Sequence, residues 1–299
     1  MSKTNAPLAG RRILITGAAR GIGAALAREC VQRGGRVALV GLEPAELAKR
    51  AAQLGSAAMW TAADVTSTPE LQRAVGAMTE RWGGLDVVVA NAGIASYGTV
   101  RTTDPESFAR VVDINLTGAF RTLHAAASPL AASRGYALVM GSVASFVQLP
   151  GLAAYCASKA GVEALAGVVR AEWAHHGVMV GSAHPSWIDT DLVRDAQADL
   201  PSFRAARRAM PWPTNSTTSV AVCASALADG IAQRARRVYV PRAALLVHLS
   251  RVLLASAAAS RLVHRASAEL IDQMEQEVTA LGRSTSVRQQ AADAARTDG

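Results

Sequence analysis

The sequence contains little cysteine and few aromatic residues. Its three cysteines, Cys30, Cys156 and Cys223, are far apart, and aromatic residues make up 4% of 299 residues. Neither a disulfide framework nor a cysteine-based metal site fits this spacing, so we expect no metal and a reducing compartment such as the cytoplasm. The opening residues, MSKTNAPLAGRR, lack the apolar core of a signal peptide, which argues against secretion.

Acidic residues are absent from residues 234–265, a stretch that contains seven arginines. These seven charges nearly equal the net charge of +8 carried by the whole chain. The remainder is therefore close to neutral and has no basic surface of the kind that binds nucleic acid. We expect no nucleic-acid partner.

Short apolar runs alternate with helical patterns along the first 240 residues. The predicted strands are RRILIT, RVALVG, AAMWTA, LDVVVAN, YALVMGS, GVMVGSAHP and RRVYVP. Strands separated by helices indicate βαβ units and a parallel sheet of about seven strands. Residues 189–213 look irregular, and we expect an active-site lid there. The polar segment 284–299 is predicted to fray.

A glycine-rich turn, TGAARGIG at residues 16–23, follows the first predicted strand. Glycines at 17, 21 and 23 permit a tight turn and close approach of a ligand. The next helix offers free N–H groups and a positive dipole end to a pyrophosphate. The spacing differs from G-x-G-x-x-G, and an ordinary strand-to-helix turn is the alternative. The position in the first βα unit favours dinucleotide binding.

Two later strand ends carry further candidates for a nucleotide site. Asp64 and Val65 follow the third strand, where a carboxylate could accept a hydrogen bond from an adenine amino group. Asn91, Ala92 and Gly93 end the fourth strand with small residues, where a nucleotide must lie against the sheet. Each is also compatible with an ordinary turn or helix cap.

Tyr155 and Lys159 lie four residues apart at the start of a predicted helix, so they share one face. A nearby ammonium lowers the pKa of a tyrosine from about 10, which would suit proton transfer. A surface helix pair is the alternative. Ser142, at the end of the fifth strand, could hold a substrate oxygen. Asn115, a poor helix former within a predicted helix, suggests a specific hydrogen-bonding role.

Together these residues resemble the short-chain dehydrogenase/reductase family over about residues 10–240. The matching motifs are TGAARGIG (16–23), Asp64-Val65, NAG (91–93), Asn115, Ser142, Tyr155, Lys159 and HPSWIDT (184–190). The resemblance implies an NAD(P)-dependent oxidoreductase that transfers a hydride between a nicotinamide and a secondary alcohol or ketone. It also implies an α/β fold with a Rossmann-type doubly wound parallel sheet in a three-layer αβα sandwich, and a homodimer or homotetramer.

The resemblance also implies roles for individual residues. Tyr155 would be the general acid/base, Lys159 would bind the nicotinamide ribose and tune Tyr155, Ser142 would orient the carbonyl, and Asn115 would hold a water in a proton relay. The expected cofactor-binding residues are Gly17, Arg20, Gly21, Ile22, Gly23, Glu43, Asp64, Val65, Asn91, Ala92, Gly93, Tyr155, Lys159, Pro185 and Ile188. A regulatory or scaffold protein with the same fold is the rival interpretation. The presence of all four catalytic candidates disfavours it.

The sequence departs from the family pattern in two places. The Pro-Gly that usually follows the sixth strand is Pro-Ser here, at 185–186, so a less flexible loop is expected beside the nicotinamide. Gly41 and Leu42 stand where members often place an acid for NAD or an arginine for NADP. Glu43 could contact a ribose hydroxyl and repel a 2′-phosphate, whereas Arg20 could attract that phosphate. We favour NAD and leave NADP open.

The lid segment and its start are rich in large apolar residues, namely Trp187, Ile188, Leu192, Val193, Leu200, Phe203, Met210 and Trp212. We therefore predict an apolar secondary alcohol or ketone of moderate size as the substrate. The alternative is that these residues pack the lid on the body or on a neighbouring subunit.

The C-terminal part is predicted to be a helical extension (243–299) of a catalytic domain (1–242). Residues 243–260 are apolar and approach the length of a membrane span, but Arg251 at their centre argues against a transmembrane helix. We favour an amphipathic helix docked on the body or on a partner subunit. A membrane-surface contact through 243–265, with arginines facing anionic lipid, stays open, as does another anionic partner.

Overall fold

A parallel β-sheet flanked by helices forms the centre of the protein. The computed structural model describes residues 7–210, 214–254 and 256–297, without the side chains of 257–260, 262–266 and 294–297. Its strands are β1 (Arg12–Thr16), β2 (Arg36–Gly41), β3 (Ala58–Ala62), β4 (Val87–Ala90), β5 (Tyr136–Met140), β6 (Met179–Pro185), β7 (Trp187–Ile188), β8 (Thr217–Thr218) and β9 (Arg237–Val240). Its α-helices are α1 (Gly21–Gln32), α2 (Pro44–Leu54), α3 (Thr68–Trp82), α4 (Pro105–Val112), α5 (Gly118–Ser133), α6 (Ala153–Trp173), α7 (Asp191–Asp199), α8 (Pro201–Ala209), α9 (Val220–Ala232), α10 (Ala244–Leu254), α11 (Ala257–Leu281) and α12 (Val287–Thr297).

Seven of these strands form one sheet in the order β3-β2-β1-β4-β5-β6-β9, and every neighbouring pair is parallel. The strand order reverses between β1 and β4. At such a point the connections leave on opposite faces and open a crevice at the carboxyl ends of the strands. The seven-stranded doubly wound sheet predicted from the sequence is confirmed. Strands β7 and β8 form a separate two-stranded parallel sheet.

The sheet is buried on both faces because alternate side chains of its strands enter two different cores. Ile13 and Ile15 of β1 pack with α1, α2 and α9, whereas Leu14 packs with α3, α5 and α6. Strands β4 and β5 are buried along their whole length. Near-continuous apolar strands are what a sheet covered by helices on both faces requires. The result is the predicted three-layer sandwich.

Three expectations about local structure are wrong. The helix predicted around Asn115 is interrupted by a π-helical turn, Asp113–Thr117. Most of the lid segment is α7 and α8 rather than irregular chain, while 211–213 lie outside the described residues. The tail expected to fray forms α12, and Ser284 before it is buried.

The tail is ordered by charged partners far away in the sequence. Arg288 of α12 pairs with Asp191 of α7, and Asp293 accepts two hydrogen bonds from Arg110 of α4. A third apolar cluster joins the lid helices to α11 through residues such as Phe203, Met274 and Val278. The extension therefore packs over the lid, and no described helix has the length and apolar character to cross a membrane.

Candidate active site

A cavity of about 1250 Å³ lies at the carboxyl ends of the central strands. This volume exceeds the roughly 300–1,000 Å³ typical of a pocket for one small ligand, so it can hold a dinucleotide and a substrate. Of the predicted site residues, all but Asn115 line it, namely Gly17, Arg20, Gly21, Ile22, Gly23, Glu43, Asp64, Val65, Asn91, Ala92, Gly93, Ser142, Tyr155, Lys159, Pro185 and Ile188. The structure thus brings together residues that are up to 171 positions apart.

The glycine turn has no room for side chains on its inner side. A Cβ on Gly17 would lie 2.8 Å from the Ala92 Cα, and one on Gly23 would lie 2.2 Å from the Gly17 carbonyl oxygen. Gly17 and Gly21 also have positive φ angles of 65° and 57°, which other residues rarely adopt. The turn therefore presses the end of β1 against the end of β4.

The outer side of this turn is open to the cavity. A Cβ on Gly21, where α1 begins, would meet only the Thr190 Cγ2 at 3.8 Å. The residue before the helix, Arg20, makes no side-chain cap, and the first turn contains no acidic residue. The free N–H groups and dipole of this helix end suit a pyrophosphate, so the turn fits a dinucleotide.

A threonine that the sequence interpretation missed holds the two strand ends together. The Thr16 Oγ1 accepts hydrogen bonds from the Asn91 and Ala92 amides at 3.0 and 3.2 Å. The Asn91 Nδ2 donates to the Thr16 and Gly17 carbonyls at 2.8 and 3.2 Å. Asn91 thereby supports the glycine turn. In the sequence, this role of Thr16 is indicated by its position as a polar residue at the end of an apolar strand.

The two residues expected to compete over the cofactor's ribose form an ion pair with each other. The Arg20 Nη2 lies 3.2 Å from the Glu43 Oε1, at the mouth of the cavity. Asp64 also lines the cavity, and its Oδ1 accepts from the Thr66 amide at 2.9 Å, so it serves the turn role considered as an alternative. The charges of Arg20 and Glu43 therefore largely offset one another at the mouth of the cavity.

Asn115 lies in the π-helical turn, behind the cavity wall rather than on it. Its Oδ1 accepts from the Ile94 amide at 2.8 Å, and its Nδ2 donates to the Ile94 carbonyl and the Ser158 Oγ, both at 3.0 Å. The widened turn lets the amide tie the loop after β4 to α6. A Cβ on Gly93 would lie 3.1 Å from the Asn115 Oδ1 and 3.5 Å from the Lys159 Nζ. The Gly93 backbone therefore lies next to both the Asn115 amide and the Lys159 ammonium. The water-holding role of Asn115 stays a prediction.

Tyr155 and Lys159 share one face of α6, as predicted. The Lys159 Nζ lies 5.7 Å from the centre of the Tyr155 ring and donates to the Met140 carbonyl at 2.8 Å. Burial lowers the pKa of Lys159 to about 8. Burial also raises the pKa of Tyr155, with partial compensation by the Ser142 side chain. The expected lowering by Lys159 is not found, because the ammonium faces the ring and a carbonyl and both groups are desolvated.

Ser142 stands beside Tyr155 on a loop fixed by its neighbours. Its Oγ donates to the Pro185 carbonyl at 3.3 Å and accepts from the Ala144 amide at 3.1 Å. Ser145, to which the sequence analysis assigned no role, donates to the Lys159 carbonyl at 2.8 Å and accepts from the Ser142 amide. It therefore connects the loop that carries Ser142 to the helix that carries Tyr155.

The part of the cavity formed by the lid and the extension is largely apolar, although Asp195, Arg207 and Arg288 also line it. The lid contributes Trp187, Ile188, Leu192, Val193, Phe203 and Met210 to its lining. Leu200 is instead fully buried in the third core, and Trp212 lies outside the described residues. The extension also contributes Leu246, Leu270, Ile271 and Met274, which were missed. Apolar residues at 270, 271, 274, 278 and 281, the spacing of a helix face, were the available signal.

Polar contacts hold the extension on the lid. The Arg283 guanidinium makes two hydrogen bonds of 2.7 Å to the carboxylate of Asp199, which also accepts from the Tyr97 hydroxyl. Hydrogen bonding to Arg283 lowers the pKa of Asp199. Glu277 accepts from the amide and hydroxyl of Ser202 at the start of α8. These contacts fix α7 and α8 over the cavity.

Comparison with known proteins gives a consistent answer. The family model described as short chain dehydrogenase matches residues 11–201. The chain is 37% identical to the "Inactive 2-(S)-hydroxypropyl-CoM dehydrogenase 2" of Xanthobacter autotrophicus (61% of this chain, 82% of the relative). It is 35% identical to the D-threitol dehydrogenase of Mycolicibacterium smegmatis (68% and 80%). A solved structure of 3-ketoacyl-(acyl-carrier-protein) reductase from Brucella melitensis, complexed with NADH, superposes with a TM-score of 0.71 at 25% identity (78% and 97%).

The chain therefore belongs to the short-chain dehydrogenase/reductase family, as its motifs indicated. It is an NAD(P)-dependent oxidoreductase that acts on the CH–OH group of secondary alcohols and on the corresponding ketones. About a fifth of this chain lies outside the match to the reductase, although the match covers nearly all of that protein.

Proposed function

We propose that this oxidoreductase acts on an apolar secondary alcohol or ketone, prefers NAD, and uses Tyr155 as its proton-transfer residue. The observation that carries the proposal is the asymmetry of the cavity. The polar side chains of Ser142, Tyr155 and Lys159 stand at one point of the cavity, and an apolar wall extends beyond them.

Three separate segments supply this wall. Leu149 and Leu152 come from the loop after β5, Phe203 from the lid, and Ile271 and Met274 from the extension. A ligand site with an apolar wall and a few polar groups binds by burying apolar surface and uses the polar groups for orientation. A small polyol, such as the substrate in the name of the threitol dehydrogenase, would bury little apolar surface against this wall.

Each catalytic candidate has a distinct task in the proposed reaction. The nicotinamide supplies the hydride acceptor or donor when it is bound. The Tyr155 phenolate would take the proton of the alcohol during oxidation, and the Tyr155 hydroxyl would donate that proton to the carbonyl oxygen during reduction. The Ser142 hydroxyl binds the same oxygen and orients it. Lys159 stabilises the phenolate as charge develops, and Asn115 fixes the backbone beside it.

The protonation states support this division of tasks. The raised pKa of Tyr155 keeps its hydroxyl protonated at neutral pH, which is the form that donates to a carbonyl. With a pKa of about 8, Lys159 carries its charge below that pH and loses it above. Charges interact more strongly in a site that excludes water. Burial of Lys159 therefore strengthens its interaction with a phenolate at Tyr155.

The preference for NAD rests on the pair of Arg20 and Glu43. Because the Arg20 guanidinium already contacts the Glu43 carboxylate, a 2′-phosphate would have to displace that carboxylate and would be repelled by it. A ribose with two hydroxyls can instead donate a hydrogen bond to Glu43. The fit therefore favours NAD over NADP.

The assembly and location of the enzyme are further parts of the proposal. Phe108 of α4 and Phe120 of α5 are 39% and 52% exposed, which supports a homodimer or homotetramer with an interface on these helices. Cys30, Cys156 and Cys223 form no disulfide with one another, which fits the proposed cytoplasmic location. The division into a catalytic domain (1–242) and an extension (243–299) stays a proposal. The extension completes the cavity of the catalytic domain, so the two parts share one site. Light scattering after gel filtration would measure the number of subunits.

A substrate panel tests the proposed function. The absorbance at 340 nm is followed with NAD and NADP in parallel, against cyclic and aliphatic secondary alcohols and ketones and against polyols. We expect a kcat/KM at least tenfold higher for apolar substrates than for polyols, and a higher value with NAD. Activity confined to polyols would refute the apolar substrate, and a clear NADP preference would refute the NAD assignment. Tight cofactor binding without any turnover would favour the scaffold interpretation.

A further inference from the structure

One face of α10 is not covered by any of the residues that the structure describes. Ala244 and Val247 are buried against the body, whereas Leu249, Val252 and Leu253 are 68%, 74% and 73% exposed. At about 100° per residue, these three lie on the side of the helix opposite the buried pair. The outward arc also includes Leu245 and Leu246. Five neighbouring large apolar side chains form a patch of a few hundred Å², the size that marks an interaction surface.

Two exposed arginines flank this apolar arc along the chain, Arg242 before the helix and Arg261 in α11. Arg251 lies on the opposite side of α10, where its Nη1 is 2.8 Å from the His248 Nε2. The acid-free stretch 234–265 provides no carboxylate near them in the sequence. The same surface therefore combines apolar side chains with positive charge, the combination that binds the surface of an anionic membrane.

The same helix borders the mouth of the cavity. Leu246, Val247, Ser250 and Leu254 of α10 are part of the cavity lining. Leu246 and Leu254 are also 54% and 40% exposed, so the apolar arc continues from the protein surface into the cavity. An apolar molecule at the outer face of α10 has a continuous apolar path towards the interior.

We propose that the outward face of α10 docks on an anionic lipid bilayer, and that the apolar substrate enters the cavity from the bilayer past Leu246 and Leu254. The docking is independent of the enzyme's substrate, whereas the entry route rests on the proposed function. α10 lies in the plane of the interface, with the apolar arc among the acyl chains near the headgroups and the arginines at the phosphates.

A second copy of the chain fits this surface less well than lipid does. In a two-fold contact the same patch meets itself, so the arginines around one helix would face those around the other. No acidic residue within 234–265 could compensate them. A stable interface also buries about 800 Å² on each partner, more than the outward arc of one three-turn helix provides.

Vesicle co-sedimentation of the full-length protein tests the docking. The probes are vesicles of phosphatidylcholine alone and vesicles with 30% phosphatidylglycerol, without substrate. We expect strong binding to the anionic vesicles, weak binding to neutral ones, and loss of binding at high salt. L249E/L253E should lower the partition coefficient at least tenfold, and R242Q/R261Q about tenfold. The matched control V100E/V222E, at residues 86% and 57% exposed elsewhere, should bind like wild type.

The outcomes separate the docking from the function. Equal binding of wild type and L249E/L253E, or no binding of wild type, would overturn the proposal. Self-association that is lost in L249E/L253E, without vesicle binding, would assign the face to a second copy instead. We expect L249E/L253E to keep the wild-type melting temperature and its turnover of a short water-soluble ketone, but to lose turnover of the same apolar ketone presented in vesicles. If no form turns over any ketone while wild type still binds vesicles, the proposed function fails and the docking stands.

Discussion

The half of the cavity proposed to hold the cofactor (the cofactor half) and the half proposed to hold the substrate (the substrate half) are built in different ways. The cofactor half consists largely of backbone, with Gly17, Gly21 and Gly23 packed against the end of β4. The substrate half consists of side chains from three distant segments, held together by contacts such as that of Arg283 with Asp199. A site formed by backbone atoms tolerates few substitutions and is visible as a short sequence motif. A wall formed by side chains can change its chemistry through single substitutions. The two halves should therefore respond differently to mutation.

Tyr155 lies where the two halves meet, and Tyr155→Phe should have the largest effect on turnover. Removing the hydroxyl deletes the proton-transfer group, and we expect kcat to fall about 10³-fold, within the range of general acid–base catalysis. The absorbance at 340 nm measures this loss. Titration of the cofactor by fluorescence should give an unchanged Kd, because the ring stays in place. Turnover at the wild-type rate would overturn the assignment of Tyr155.

Gly23→Ala should damage the cofactor half alone. Its Cβ would lie 2.2 Å from the Gly17 carbonyl, so the turn must shift, at a cost of about 1–3 kcal/mol in the free energy of unfolding. We expect the cofactor Kd to rise about 100-fold. The control is Gly76→Ala in α3, where nothing lies within 4 Å of the added Cβ. It should leave the Kd unchanged and stabilise the protein by about 0.5–1 kcal/mol in thermal unfolding. Equal effects of the two variants would contradict the packing argument.

Arg283→Gln should damage the substrate half alone. The Arg283 side chain is 12% exposed and forms a two-pronged contact with Asp199, so its loss frees the extension from the lid. We expect the KM for an apolar substrate to rise about tenfold, with an unchanged cofactor Kd. Arg101→Gln is the control, because Arg101 also pairs with the extension, at Glu275, but is 83% exposed. Surface pairs of that kind contribute little. A changed cofactor Kd in Arg283→Gln would show that the halves are coupled.

Glu43→Gln should give the smallest effect and test cofactor choice. The substitution releases Arg20 from its ion pair, so its guanidinium can contact a 2′-phosphate. We expect the ratio of kcat/KM with NADP to that with NAD to rise about fivefold, a modest gain for an exposed charge. Glu46→Gln, which alters the exposed pairs with Lys49 and Arg50, should leave the ratio unchanged. An unchanged ratio in both variants would remove Glu43 from the explanation.

The same contrast explains how much could be predicted from the sequence. The seven-stranded sheet follows from apolar runs such as Val87–Ala90, whose period and length reflect burial on both faces. The glycine turn and the pair Tyr155 and Lys159 are local patterns, and the structure places them on one cavity. Such features are encoded by neighbouring residues, so a single sequence reveals them.

The remaining features depend on partners far apart in the chain. The order of α12 comes from Arg288 with Asp191 and from Asp293 with Arg110, pairs that no local pattern reveals. The lid segment is rich in charged residues and alanine, and its two helices pack on α11, which the sequence does not place there. The pKa of Tyr155 depends on burial within the folded site, so the spacing to Lys159 alone predicted the wrong direction.

The contact of Tyr97 with Asp199 and Arg283 also bears on the order of folding. Arg283 lies 186 residues after Tyr97 and 84 after Asp199, so the cavity cannot close until nearly the whole chain has been synthesised. The strands and turn of the cofactor half are complete long before that, and contacts between distant residues form slowly because a long loop must first be closed. We therefore expect a folding intermediate that already binds the dinucleotide while its substrate wall is still absent.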